Sequence, residues 1–247
     1  MGEAPKQVKG SFDYFKPTKS AAVIVSAGKG HRFAGEKKKQ FLLLAGKPIL
    51  CHTLDKFETC PSIDFIQLVV GQEDMDYTLK EIVEAYRYRK ISKIVPGGKV
   101  RQESVKNGIE SLPRETEIVV IHDGVRPFVT HKMIEETIQA ATEFKAAIVA
   151  MPVIETIKMA GPDRIVLNTL DRESLWQVQT PQAFQADVIR RAFRKAAEEG
   201  FIATDDASLV ERIGIKVYIL PGSYNNIKIT TPEDLILANL FLQMGVS

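Results

Sequence analysis

The sequence predicts an α/β protein built on a mainly parallel sheet, and three observations predict it. An apolar, β-branched run at Ala21-Ala22-Val23-Ile24-Val25 stops abruptly at Ser26-Ala27-Gly28. Strand-like and helix-like segments then alternate along the chain, the pattern of βαβ units. A wholly apolar run, Ile118-Val119-Val120-Ile121, suits a central strand covered on both faces.

Each element follows from local pattern. Val23 to Ser26 reads as the first strand. Pro48 to Phe57 reads as a helix with proline near its first turn. Phe65 to Val70 is a strand, Met75 to Arg89 a helix, and Ile91 to Val95 a short strand closed by Pro96-Gly97-Gly98. Ser104 to Leu112 places Val105, Ile109 and Leu112 on one helical face. The central strand ends at His122-Asp123-Gly124, and Lys132 to Phe144 and Ala146 to Met151 follow as helix and strand. Thr156 to Met159 and Ile165 to Thr169 flank Gly161-Pro162-Asp163, which predicts a hairpin. The stretch of about 153–178 is therefore expected to project as an arm, either a lid or a dimerisation element. Ala186 to Glu199 and Asp205 to Ile213 read as helices, the second capped by Thr204. Val217 to Leu220 reads as a strand. Pro232 to Met244 closes the chain as a helix, with Thr231 as its N-cap.

Composition narrows the function. The 247 residues carry a net charge of +2, too mild for the concentrated basic face of a nucleic-acid binder. No apolar run reaches the ~18 residues of a membrane span. Residues 1–19 are polar, lack the apolar core of a secretory signal, and read as an extension before a single domain over 20–247. Cys51 and Cys60 form no CxxC and fit reduced thiols of a cytoplasmic protein. His31, His52, His122 and His131 lack zinc-ligand spacing.

Several loops carry chemistry. Ser26-Ala27-Gly28-Lys29-Gly30-His31-Arg32, with Lys39, follows the first strand directly. Glycine lets backbone amides approach phosphate oxygens, and the cations neutralise phosphate charge. The loop lacks the GK[ST] ending of a Walker A motif and the third glycine of a dinucleotide fingerprint. A solvated lysine cluster is the plainer alternative. Gly97-Gly98 and Ser104 lie at another strand end, where ligands of open α/β sheets bind. There the amides and hydroxyl could read a base edge. Asp123, at the tip of the buried strand, suits a Mg²⁺ ligand, and Arg126 can grip a phosphate. An N-cap aspartate with a salt-bridged arginine is the structural alternative. Lys228 sits in an apolar, strand-like run, which favours an anion partner over solvent.

Taken together, AGKGHR…KKQF, GGKVRQESV, HDGVRPF, ETIK, TLDRESLWQVQTPQAF, TDDAS and NNIKITTPEDL resemble the 2-C-methyl-D-erythritol 4-phosphate cytidylyltransferases of the non-mevalonate isoprenoid pathway. The resemblance runs from about Ala21 to Leu242. It implies a Rossmann-like nucleotidyltransferase fold and a homodimer formed through the arm. It further implies that Ser26, Ala27 and Gly28 line a CTP site, that Arg32 and Lys39 meet its phosphates, and that Gly98 and Ser104 recognise cytosine or ribose. Asp123, Arg126, Thr156, Arg172 and Thr180 would hold the methylerythritol phosphate, Arg172 reaching the neighbouring subunit's site. Lys228 would touch the α-phosphate and the acceptor. The implied reaction is Mg²⁺-assisted in-line transfer of CMP from CTP to the polyol phosphate. This sequence departs from the family pattern at Ser26, Lys38, Lys99 and Gly124-Val125. Ribitol 5-phosphate cytidylyltransferases share HDxVRPF and are the nearest alternative. A non-catalytic nucleotide-binding protein is a second.

Overall fold

The computed structural model describes residues 19–28 and 38–246. The expectations for the extension before Lys19, and for Lys29, Gly30, His31 and Arg32, lie outside the described residues.

In chain order, β1 (Ser20–Ser26) leads through the described 3-10 turn Lys39–Phe41 to a small ladder of β2 (Leu43–Leu44) and β3 (Lys47–Pro48). Then come α1 (Ile49–Thr59), β4 (Phe65–Val70), α2 (Met75–Tyr77) running into a π-helical stretch Thr78–Glu84, β5 (Ile91–Pro96) and α3 (Arg101–Glu110). The second half is β6 (Ile118–Asp123), α4 (His131–Phe144), β7 (Ala146–Pro152), β8 (Lys158–Ala160), β9 (Val166–Thr169), β10 (Trp176–Gln185), α5 (Ala186–Glu199), α6 (Asp206–Arg212), β11 (Tyr218–Pro221) and α7 (Pro232–Gln243).

Seven strands form one sheet in the order β11-β7-β10-β6-β1-β4-β5. All its pairings are parallel except those of β10, which runs antiparallel to both β6 and β7. β1 is buried on both faces, as its apolar run predicted. Ala22 and Ile24 pack into the core beneath α1 and α4, and Ala21 and Val23 into the core beneath α3 and α5. A third apolar cluster seats α7 against Leu44, Ile49 and Phe128. α7 starts with a capping box: Thr231 accepts from the Asp234 amide while the Asp234 carboxylate accepts from Thr231 N.

β10 was not legible as a strand. Its sequence, WQVQTPQAFQ, carries Pro181 and a run of glutamines where an apolar alternation is expected. The structure accommodates both. Pro181 falls where the register against β7 shifts between Val178 and Gln182. Gln182 is buried but satisfied, donating to Asp205 Oδ2 at 3.1 Å and accepting from the Ala207 amide at 3.2 Å. Two smaller expectations are corrected. The cap of α6 is Asp205, which accepts from Ser208 N, and not Thr204. Lys228 lies in an extended loop tied to the sheet by Ile229 N on Val125 O, not in a strand. The hairpin forms as expected, turning through Gly161 to Arg164, and every residue of its two strands is exposed.

Candidate active site

The chain reverses direction across the sheet at β1. It builds β4 and β5 on one side, then returns to lay β6 on the other. Ligands of open α/β sheets bind at such a switch point, beyond the carboxyl ends of the strands. A crevice of about 770 Å³ lies there, lined from the β1 end by Ser26, Ala27 and Gly28, from the β5 end by Gly97 and Gly98, and by Asp123 at the tip of β6. Lys39, Arg101, Ser104 and Lys228 complete its polar wall.

Local packing explains why these residues face one space. The Gln40 side chain donates to Ser26 O at 2.9 Å, which holds the turn carrying Lys39 against the tip of β1. Gly97 is in contact with the same tip: a Cβ there would stand 2.3 Å from the Ala27 Cβ, so only glycine permits the approach. Gly98 N donates to Ser104 Oγ at 3.0 Å, and that hydroxyl donates to Val100 O at 3.1 Å. The glycine turn and the first turns of α3 are thus one unit. Next to Lys39 in the chain, Lys38 pairs with both Glu73 and Asp74.

Asp123 is the electrostatic centre. Its side chain is 8% exposed and meets three cations: Arg101 Nε at 3.2 Å, Arg126 Nε at 3.4 Å and Lys228 Nζ at 2.9 Å. Burial pushes its pKa up, but Arg101, Lys228 and Arg126 more than reverse this and hold the carboxyl well below its usual range. Its amide donates to Thr180 Oγ1 at 3.2 Å, and Thr180 Oγ1 lies 3.0 Å from His122 Nδ1. His122 Nε2 is 3.2 Å from Arg126 O, an acceptor, so Nε2 carries the proton and Nδ1 accepts from Thr180. Burial pushes His122 down to about 3, so this ring is neutral.

Most of the expected site residues meet. Ser26, Ala27, Gly28, Lys39, Gly98, Ser104, Asp123 and Lys228 all line the crevice. Arg126 stands behind Asp123, its Nη1 donating to Asn226 O at 2.8 Å. Thr180 is buried, with its hydroxyl engaged as described. Thr156 and Arg172 are exposed and belong to the arm, where Arg172 Nη1 donates to Ile154 O at 3.1 Å. Sequence reasoning missed Arg101 and Asp206. Arg101 Nη1 donates to Asp206 Oδ2 at 2.8 Å, and Asp206 is buried.

The carboxylates do not fit a resident magnesium ion. Asp123, the expected ligand, is already surrounded by three cations, and Glu103 Oε2 accepts from Lys99 N at 2.7 Å. A bare divalent ion placed at Asp123 would face those same positive charges. No group of three or more His, Cys, Asp or Glu among the described residues could hold a metal.

Comparison with known proteins shows the family of this chain. The model of the 2-C-methyl-D-erythritol 4-phosphate cytidylyltransferase family matches residues 20–244. The chain belongs to that family. The cytidylyltransferase of this name from Syntrophus aciditrophicus is 48% identical over 91% of this chain and 96% of its own length. That from Caldanaerobacter subterraneus is 48% identical over 90% of this chain and 98% of its own. Among solved structures, 4-diphosphocytidyl-2C-methyl-D-erythritol synthase from Anaerococcus prevotii superposes with a TM-score of 0.81 at 35% identity, covering 92% of this chain and 97% of that one. Cytidylyltransferases are nucleotidyltransferase enzymes, and the α/β sheet described above is the fold of the family's solved structures. Among the described residues no helix is long and apolar enough to cross a membrane.

Proposed function

We propose that this chain transfers CMP from CTP to 2-C-methyl-D-erythritol 4-phosphate, releasing pyrophosphate. Family membership over residues 20–244 supports the reaction, and one observation of the site carries the mechanism: Lys39 and Lys228, 189 positions apart in the chain, line one crevice with Asp123 between the glycine turns.

The acceptor phosphate oxygen attacks the α-phosphorus of CTP in line, and the bond to the bridging oxygen of pyrophosphate breaks. The nucleophile is ionised at neutral pH, so no strong general base is required. Catalysis rests on holding two polyanions together and neutralising the charge that crowds between them. Lys39 and Lys228 supply that neutralisation, joined by Arg32, which lies outside the described residues. Ser26, Ala27 and Gly28 offer a small-residue floor for the nucleotide, with Gly98 and Ser104 toward its base and ribose. Asp123 and Arg126 take the acceptor, the carboxylate accepting from its hydroxyls. Thr180 acts through Asp123, because its hydroxyl is spent on the Asp123 amide and His122.

Mg²⁺ enters as the counter-ion of the CTP triphosphate and so belongs to the substrate. The crowded state of Asp123 supports this assignment. Thr156 and Arg172 complete the acceptor site of a neighbouring subunit in a homodimer built through the arm. The exposure of Ile154, Ile165, Val166 and Leu167 on that arm supports such an interface. The reaction and this reduced-thiol chain suit the cytoplasm, with Cys51 and Cys60 buried and unpaired.

The test is release of pyrophosphate with each of four nucleotides against methylerythritol phosphate and ribitol phosphate. The expected result is turnover with CTP and methylerythritol phosphate. Preferential turnover of ribitol phosphate would overturn the substrate, and no turnover with any pair would overturn the reaction.

A further inference from the structure

Arg101 is poorly explained by its own helix. It is the first residue of α3, where the positive end of the helix dipole disfavours a cation. Its guanidinium instead spans two carboxylates: Nε lies 3.2 Å from Asp123 Oδ1, and Nη1 lies 2.8 Å from Asp206 Oδ2. Asp206, an acid in the first turn of α6, suits the dipole of its own helix but does not cap it. The N-cap of α6 is supplied by Asp205, which accepts from Ser208 N at 3.1 Å. Asp206 is nevertheless 1% exposed, and a carboxylate so buried needs a charged partner to stay ionised. Its position is fixed from below, because Gln182 of β10 grips both Asp205 and the Ala207 amide.

The two oxygens of Asp123 are held differently. Oδ2 faces Arg126 and Lys228, while Oδ1 faces Arg101. Lys228 is 36% exposed and is assigned above to the substrate phosphates. Once it turns to them, it no longer restrains Asp123. Arg101 is held in place by Asp206 and so keeps its restraint.

We propose that Arg101, braced by the buried carboxylate of Asp206, is a positioning residue that keeps Asp123 ionised and oriented for the acceptor while Lys228 is drawn to the phosphates. The proposal rests on the reading of Asp123 as an acceptor contact. Arg101 is suited to this task because its planar fork can engage both carboxylates at once, which a lysine ammonium cannot do with fixed geometry.

Steady-state kinetics on the full chain test it, with Asp206→Asn, Arg101→Lys and Asp123→Asn measured beside the wild type. Asp206→Asn and Arg101→Lys are expected to raise the acceptor KM about tenfold and to leave the CTP KM within about twofold, with the melting temperature of Arg101→Lys near that of the wild type. An unchanged acceptor KM, or equal rises for both substrates, overturns the proposal. If Asp206→Asn does not fold, Arg101→Lys decides alone, since its side chain is 30% exposed and its loss opens no core cavity. Asp123→Asn separates the two levels. If it raises the acceptor KM while the other two variants do not, only the positioning role fails. If it leaves the acceptor KM unchanged, the assignment of Asp123 fails and the proposal with it.

Discussion

Ser26 and Gly124 are closely packed: a Cβ at Gly124 would stand 3.0 Å from Ser26 Oγ and equally close to Ser26 Cβ. Leu50 Cδ1 closes the third side at the same distance. Gly124→Ala is therefore expected to destabilise the protein by about 1–2 kcal/mol through overpacking. Ser26 Oγ is buried without a hydrogen-bond partner, so Ser26→Ala also removes an unsatisfied group. In the Ser26→Ala background the cost of Gly124→Ala should fall but not vanish, because the Cβ at position 26 and Leu50 Cδ1 stay as close, as measured by urea unfolding of the four-member cycle. Additive costs would show that the two positions are independent.

Lys228 holds a 2.9 Å contact to Asp123 that the substrate phosphates would compete for. Lys228→Met keeps the stem and removes the charge. Loss of one preorganised charge contact of this kind typically costs ~10²–10³ in rate. The expected outcome is that fall in kcat with the fold intact by circular dichroism. A kcat within a factor of three of the wild type would remove Lys228 from the mechanism.

The pH dependence of stability has a defined sign. His122 is neutral in the folded chain, with its pKa pushed down to about 3, whereas an unfolded histidine titrates near 6.5. Between those values the unfolded state binds a proton that the folded state does not, so stability falls as pH falls from about 6.5 toward 3. At pH 5 the loss from His122 is about 2 kcal/mol relative to pH 7. His52, also lowered, first by burial, adds in the same direction. Asp123 acts in the same direction at lower pH: its depressed pKa contributes stability that is lost as pH falls through the ordinary carboxylate range and below it. Urea midpoints that stay level from pH 7 to pH 5 would contradict the neutral, buried assignment of His122.

Arg172 tests the role of the arm. If its guanidinium serves the acceptor site of a neighbouring subunit, Arg172→Ala weakens acceptor binding and leaves CTP affinity alone. Calorimetric titration with each substrate reads the two separately. Equal weakening of both would count against this division.

The strands and helices that frame the site were legible because their pattern is local. Phe65–Val70 and Ala186–Glu199 begin and end where apolar periodicity and flanking polar residues indicate. Ser26, Gly28, Gly98 and Asp123 were legible because each sits at the carboxyl end of a strand or in the turn after it, where this fold places ligands. β10 was hidden because its buried faces carry Gln179, Thr180 and Gln182, whose amides and hydroxyl are satisfied by partners distant in sequence. Arg101 was hidden for the same reason. Its partner Asp206 lies 105 residues away, and each residue looks like an ordinary helix start. The one local sign was the wrong charge for a first helical turn at Arg101. Of the three cations around Asp123, Arg126 is three residues away and legible in the sequence, whereas Arg101 and Lys228 come from α3 and a distant loop that no local pattern joins to it.

The central claim is that cations from separated segments converge to neutralise phosphoryl transfer in the crevice. Single-turnover pyrophosphate release from CTP and methylerythritol phosphate by Lys39→Ala measures it most directly. The account predicts a rate lower by ~10²–10³ with an unchanged melting temperature. A single-turnover rate equal to that of the wild type would contradict it.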